Sequence, residues 1–314
     1  MATHESLLRT RAPYDAAAML DFLTAHAVPG RDIVRGFGDA AGASSSHAID
    51  VLGGTVVAHI DWAELHESGS EVVVPLRLDV PHTEPVKVRD STLSHAEPAE
   101  VLEGAFAVLR RMLDLDADPA QIVSALGDDP RLSPLIVQRP GLRLPGARNS
   151  QEFALGTVLG QQVSLAAART LQGRLAAQFA AGPSAAGFLA APDVAAIAAT
   201  DASELRERIG LTAARAETLR TVAAALAGGL DVGHTADVAS ARVEFGALRG
   251  IGPWSVEIVA MRAMRDLDAY PAGDLILKRV LGTRTERETR ELADGWRPYR
   301  GYATQHLWAD FLAA

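Results

Sequence analysis

Leu248-Arg249-Gly250-Ile251-Gly252-Pro253-Trp254, then an apolar run, then Pro271-Ala272-Gly273-Asp274, is the stretch that decides how this chain reads. Helical patterns flank the two glycines. The first covers Ala239–Leu248. The second runs from Pro253 to about Met264, with Val256, Val259, Ala260 and Ala263 on one face. A proline in the first helical turn gives up only an N–H that would be unpaired anyway. The exposed N–H groups and the positive end of the helix dipole favour an anion at that point. A bare Gly-x-Gly reads more readily as an ordinary corner between helices. The Pro-x-x-Asp about twenty residues later tips the balance. If a phosphate docks at the turn, Asp274 falls over the nucleotide attached to it. Asp274 also opens Leu275-Ile-Leu-Lys-Arg-Val-Leu, a short helix for which it is a good N-cap. The two roles are compatible, because the helix N–H groups hold a carboxylate in one orientation.

Upstream, from Pro98 to the hairpin, only helical patterns occur. Pro98–Leu115 carries Leu102, Phe106, Leu109 and Leu113 on one face, and Pro119–Leu126 is short. Pro130–Asn149 is irregular. Gln151–Gly160 and Ser164–Phe179 are joined by Gln161-Gln162-Val163, and further helices cover 191–200, 202–209 and 213–227. The N-terminal part differs. A helix over 13–27, capped by Asp15, precedes three strand-like runs, His47–Leu52, Thr55–Trp62 and Glu71–Val80. Gly53-Gly54 signals a tight hairpin, and Pro75 predicts that the third strand lies at an edge or carries a bulge. Residues 81–97 read as a linker. The fold class is therefore α+β: a small antiparallel-sheet domain with linker over 1–95, then an all-α core over 96–314 with its hairpin at about 239–264.

With 314 residues, 48% of them hydrophobic, the chain has room for two or three domains and a sizeable core. It has no cysteine, which excludes disulfides, thiolate metal sites and iron–sulfur clusters. No basic stretch leads into an apolar one at the N-terminus, and no apolar run approaches the roughly 18–20 residues of a membrane helix, so a cytoplasmic protein with no membrane contact is expected. Net charge is −9. Residues 241–314 hold 11 Lys+Arg against 10 Asp+Glu, whereas the other 240 residues hold 19 against 29. The acidity thus lies outside the motif. A binder that uses backbone N–H groups and a few arginines suits this balance; one that coats nucleic acid non-specifically does not.

The glycine-rich turn with its later aspartate resembles the helix-hairpin-helix DNA glycosylases. Arg11-Ala-Pro-Tyr-Asp, Arg139-Pro-Gly-Leu-Arg-Leu-Pro-Gly, Val158-Leu-Gly-Gln-Gln-Val-Ser and Trp296-Arg-Pro-Tyr-Arg-Gly-Tyr-Ala with His306-Leu-Trp308 extend the likeness over almost the whole chain. Together they resemble the bacterial 3-methyladenine DNA glycosylase II (AlkA-like) type. The resemblance implies an N-terminal domain like half of a TATA-binding-protein fold and a two-lobed helical core. It implies that Asp274 is catalytic, stabilising positive charge on the deoxyribose as the base departs. It places Trp254, Trp308, Ile258 and Leu275 in the base pocket, the last two where a well-known member carries tyrosines. Gly250, Gly252 and Trp254 fall on the DNA-binding hairpin. Gln162 takes the position of the residue that wedges the duplex open, a leucine in that member. Trp254 stands where bifunctional relatives place a nucleophilic lysine, which implies a monofunctional enzyme.

The expected partner is double-stranded DNA containing alkylated bases, bound by a monomer that is nucleoid-associated when on DNA. No cofactor and no catalytic metal are expected, since the nine histidines show no metal-ligand spacing. By resemblance alone, the carbonyls of Gly246, Leu248 and Ile251 would hold a monovalent cation, Na⁺ or K⁺. Two alternatives stay open. One is a glycosylase of the same fold for hypoxanthine or ethenoadenine. The other is a non-catalytic module for damaged DNA, against which Asp274 speaks. A tryptophan read alone belongs to the core, and Trp296 and Tyr302 are read that way; Tyr14, Trp62 and Tyr270 are given no role.

Overall fold

In a computed structural model, residues 1–52, 54–81, 98–182 and 185–313 are described. The N-terminal part is an antiparallel sheet of β1 (Ala2–Arg11), β2 (Asp32–Arg35), β3 (Ser44–Val51), β4 (Gly54–Asp61), β5 (His66–Ser68) and β6 (Glu71–Val80), with α1 (Ala16–His26) between β1 and β2. The order is β1-β6-β4-β3-β2, and β5 pairs with β6. Three of these strands escape the sequence pattern. β1 is an edge strand in which only Leu8 and Thr10 are buried, so it lacks an apolar face to read. β2 and β5 have four and three residues, too few for a period to show.

β6 corrects the expectation built on Pro75. The strand is central, between β1 and β4. β5 pairs with it only up to Val73 and β4 only from Leu76, so Pro75 falls in the gap between the two ladders. A missing N–H there interrupts neither pairing. The β3–β4 hairpin closes with Val51 opposite Gly54. Gly53 and the linker read over 81–97, apart from Pro81, fall outside the described residues.

One face of the sheet packs Ile49, Val56, Ala58, Ile60, Val74 and Leu78 against Met19, Leu20 and Leu23 of α1. α2 (Pro98–Met112) adds Val101, Ala105 and Leu109 to the same core. The other face is covered in part by Ala185 and Phe188, which meet Ala48 and Val57. Burial on both faces explains why Val56–Ala58 runs apolar without alternation.

The helical part comprises α3 (Pro119–Leu126), α4 (Ser133–Gln138), α5 (Ser150–Gly160), α6 (Leu165–Phe179), α7 (Val194–Ala199), α8 (Ala202–Ile209) and α9 (Ala213–Ala227). It continues with α10 (Val238–Gly246), α11 (Pro253–Arg262), α12 (Leu275–Leu281), α13 (Glu286–Leu292) and α14 (Arg300–Ala313). α4 lies inside the stretch read as irregular. The apolar side chains of these helices join in one continuous cluster, with Leu155, Leu159, Leu219, Val222, Phe245 and Val259 all fully buried. Among the described residues no helix is long and apolar enough to cross a membrane.

Sheet and helices are joined by buried charge. Arg31, wholly enclosed, pairs with Asp50 at 2.6 Å and with Glu152 of α5 at 3.0 Å. Arg148 pairs with Glu152 at 2.9 Å and with Asp32, which also meets His47 Nδ1 at 2.7 Å. Burial raises the Glu152 carboxyl, but Arg148 and Arg31 outweigh it and bring the group down to about 2. Removing one partner from such a set strands a buried charge, at a cost of about 3–5 kcal/mol.

Candidate active site

The hairpin is α10, the turn 247–252 and α11. Arg242 of α10 grips Glu257 of α11 through two hydrogen bonds of 2.8 and 3.1 Å. Glu257 also accepts from the Tyr270 backbone N–H at 2.8 Å, which ties the hairpin to the segment leading to Asp274. That segment closes in a turn, Asp274 N–H to the Pro271 carbonyl at 2.8 Å.

The two glycines of the turn have different reasons to be there. Gly250 has φ of +89°, and a Cβ on it would lie 2.1 Å from Thr218 Oγ1. Internal sterics demand glycine at that position. Gly252 is the N-cap of α11 with φ −103° and ψ 172°, ordinary extended backbone, and a Cβ would meet nothing within 4 Å. Nothing inside the described chain requires glycine at 252. Pro253 occupies the first turn and no side chain caps the helix. The N–H groups of Gly252, Trp254 and Ser255 find no acceptor among the described residues. The exposed end of α11 therefore presents free donors and the positive end of a helix dipole.

Asp274 caps α12. Its Oδ1 accepts from the N–H groups of Ile276 at 3.0 Å and Leu277 at 3.1 Å, and from Trp308 Nε1 at 3.2 Å. Its Oδ2 accepts from Trp254 Nε1 at 2.9 Å. Every partner is a donor, so both oxygens act as acceptors. Two indoles from α11 and α14, far apart in sequence, thus converge on one half-buried carboxylate. Ile258 lies one turn beyond Trp254 on the same side of α11 and is buried. Leu275 stands 78% exposed beside Asp274, so any wall it forms is open to solvent.

This arrangement has relatives. Residues 6–149 match the AlkA N-terminal domain, and residues 155–294 match the HhH-GPD superfamily of base excision DNA repair proteins. DNA-3-methyladenine glycosylase 2 of Escherichia coli is 31% identical over 308 residues, 96% of this chain and 95% of that protein. The chain belongs to the AlkA-type HhH-GPD family. A probable bifunctional transcriptional activator/DNA repair enzyme AlkA of Mycobacterium tuberculosis is 41% identical over 217 residues, 65% of this chain but 42% of that protein. The match thus spans less than half the length of that relative. The fold matches 3-methyladenine DNA-glycosylase from Archaeoglobus fulgidus, with a TM-score of 0.76, 20% identity and coverage of 98% and 99% of the two chains.

In this AlkA-type chain the turn between α5 and α6 sits against the hairpin. Gln162 is exposed, with φ of +55°, an uncommon left-handed conformation for a residue other than glycine. The residue before it makes the contacts. Gln161 Nε2 donates to the Gly250 carbonyl at 3.0 Å and to Ser255 Oγ at 3.1 Å, while the Gln161 carbonyl accepts from Arg215 at 2.5 Å. The sequence marks Gln161-Gln162 as a break between helices. It gives no sign that the first glutamine is the brace and the second the free side chain.

A second group escapes the sequence reading. Arg262 of α11 is 5% exposed and has no carboxylate partner among the described residues; it donates to the Pro145 carbonyl at 2.7 Å and to Gln305 at 2.6 Å. Its guanidinium lies 4.9 Å from the Phe22 ring and 5.9 Å from the Trp308 ring. Burial, with Arg265 adding to it, brings Arg262 down to about 9. Phe22 of α1 thereby shares the Arg262 guanidinium with the tryptophan that holds Asp274. Tyr270, to which the sequence assigns no role, is buried, and its hydroxyl has no partner among the described residues. Burial pushes that phenol above its ordinary value; Arg300 opposes the shift and Asp274 adds to it.

The carbonyls of Gly246 and Ile251 receive no N–H among the described residues, and that of Leu248 accepts one from Ile251 at 3.1 Å. Free carbonyl oxygens at the negative end of α10 are the hard donors a monovalent cation takes. The residues present fit such an ion.

Proposed function

We propose that this protein is a monofunctional DNA glycosylase that hydrolyses the N-glycosidic bond of alkylated purines, 3-methyladenine and 7-methylguanine, in double-stranded DNA. The observation that carries the reading is Asp274. Two backbone N–H groups and two indoles fix its carboxylate beside the free N–H groups of a phosphate-binding turn.

Gly252, Trp254 and Ser255 N–H groups hold a backbone phosphate, and the target nucleotide leaves the stack to reach the cleft. Gln162, projecting from the braced α5–α6 turn, fills the gap it leaves. An alkylated purine carries positive charge, and a tryptophan face attracts a cation by roughly 0.5–2 kcal/mol. The base stacks against Trp254 and Trp308, with Ile258 and Leu275 completing an aliphatic wall. As the C1′–N bond breaks, its electron pair goes to the base, which departs neutral. Asp274 stabilises the positive charge left on the sugar. Water adds hydroxyl to C1′ and releases one proton to solvent. Trp254 offers no amine, so no Schiff base forms and the product is an abasic site. A Na⁺ or K⁺ on the carbonyls of Gly246, Leu248 and Ile251 would steady the turn against the phosphate. The reaction needs no cofactor, and the enzyme works as a monomer in the cytoplasm on nucleoid DNA.

The test is base release from methylated duplex DNA by the wild type and by Asp274→Asn, with DNA affinity measured for both. Release of 3-methyladenine that vanishes in the variant while binding persists supports the reading. Undiminished release by Asp274→Asn removes Asp274 from the chemistry. No release by a wild type that still binds abasic DNA leaves a damage-binding module.

A further inference from the structure

A cavity of about 460 Å³ lies at the opposite ends of the helices that build the DNA-facing site. α5 carries the Gln161 brace at its C-terminal end, and Ser150 and Gln151 at its N-terminal end line the cavity. α9 supplies Thr218 to the hairpin glycine, and Leu226 and Gly229 at its far end line the cavity. α11 begins at the hairpin, and Ala263 just after it lines the cavity. At about 1.5 Å per residue the eleven residues of α5 separate the two places by about 16 Å. The cavity is no part of the cleft at Asp274, and its volume lies within the range of about 300–1,000 Å³ usual for small-ligand sites.

The charges facing the cavity are unevenly matched. Arg148 is satisfied by Asp32 and Glu152, and Arg265 by Asp114 and the Leu144 carbonyl. Asp50 is occupied by Arg31, Thr55 and the Ala191 N–H. Asp231 turns onto its own loop, accepting from the Gly233 N–H at 2.7 Å and from Thr235. The Arg111 side chain alone among these has no hydrogen bond or ion pair with any described residue, although the residue is half-buried. Burial, with the like charge of Arg265 beside it, lowers its hold on a proton against the opposing pull of Asp116. His234 on the facing loop is lowered too, by burial and then by Arg111. The helix adds donors: Asn149 caps the Glu152 N–H at 2.9 Å, leaving the Ser150 and Gln151 N–H groups without an acceptor among the described residues. An unpaired guanidinium, an imidazole and two free helix N–H groups around one cavity form a donor set that lacks its acceptor.

We propose that this cavity binds a small phosphate-bearing anion, held by Arg111, His234 and the N-terminal N–H groups of α5. An arginine is suited to a phosphate through paired N–H bonds, and a helix N-terminus through its dipole. The site is separate from the DNA phosphate at the hairpin, so both can be filled at once.

The test is calorimetric titration of the whole chain with inorganic phosphate at constant ionic strength, alone and after saturation with a short duplex. The expected result is one phosphate per chain in both conditions, weakened about tenfold or more in Arg111→Gln, as loss of a charge-assisted hydrogen bond implies. His234→Glu, at an exposed position, puts a carboxylate at the mouth and should weaken binding without threatening the fold. A deoxynucleoside monophosphate that binds more tightly than inorganic phosphate would identify an ester as the occupant, using the apolar wall of Leu226 and Leu230; equal affinity would identify the free anion. Absence of binding at millimolar phosphate, binding unchanged in both variants, or binding lost on duplex saturation would overturn the proposal.

Discussion

Two alanine substitutions, two residues apart, should separate folding from DNA binding in the hairpin. At Gly250 the φ of +89° is costly for any residue with a Cβ, by roughly 1–2 kcal/mol. The added Cβ would also lie 2.1 Å from Thr218 Oγ1 and 3.0 Å from Thr218 Cβ, and overpacking of that kind costs about 1–3 kcal/mol. Gly250→Ala should therefore lose about 2–5 kcal/mol of stability. At Gly252 the backbone is extended and the space around a Cβ is empty. Gly252→Ala restricts the unfolded chain, which at a compatible position stabilises by about 0.4–1 kcal/mol. Yet its methyl group stands at the open end of α11, where a phosphate must come within about 2.9 Å of the N–H groups. Loss of one hydrogen bond to a charged group, about 1.5–3 kcal/mol, weakens binding about tenfold or more. Urea denaturation and fluorescence anisotropy with an abasic duplex, run on both variants, read the two effects. A Gly252→Ala protein that is as stable as wild type and binds the duplex within about twofold of it would show that no phosphate docks at this turn.

Gln161→Ala removes the brace between the α5–α6 turn and the hairpin, two hydrogen bonds worth about 1 kcal/mol each. Base release under single-turnover conditions should fall by about tenfold and the melting temperature by a few degrees; an unaltered rate would take Gln161 out of the positioning machinery. Glu152 gives a pH prediction. Its carboxyl is ordinarily at 4.5 and is held at about 2 in the folded protein, so its contribution is complete above 4.5 and drains away as pH falls toward 2. Glu152→Gln should cost about 3–5 kcal/mol at pH 7, and the gap to wild type should narrow between pH 4.5 and 2. Urea midpoints for both proteins across that window check the sign, and a gap that widened in acid would contradict it.

What the sequence made legible depended on whether a residue's role is local. Asp274 as a helix cap and Gly252-Pro253 as a helix start are written in neighbouring residues, and the structure has both. So are the long helices α6 and α9, whose capping residues Ser164 and Thr212 stand immediately before their apolar periods. Pro75 misled because its tolerance depends on two partner strands ending on either side of it, which is a fact of register. Arg262 was silent for a similar reason. Its neighbours in space, Phe22, Pro145, and Gln305 with Trp308, come from three separate segments. Gln161 and Gln162 are identical side chains in adjacent positions. Only the left-handed backbone at the second decides which one turns inward to Gly250.

α5 connects these observations. Near its N-terminal end Glu152 joins the charge set that fastens the sheet to the helices. Just beyond its C-terminal end Gln161 fastens to Gly250 and Ser255 of the hairpin. Between them Ala154, Leu155, Val158 and Leu159 are wholly buried, so the helix cannot shift without disturbing the core. A rigid element anchored at both ends transmits position. The proposed anion site at Ser150 and the proposed wedge at Gln162 therefore lie on one stiff body, and the sheet domain is bolted to the same body through Arg31. This gives the N-terminal domain a physical part in the proposed DNA-facing site beyond the contact of Phe22 with Arg262 of the hairpin: it fixes the helix at whose end Gln162 projects.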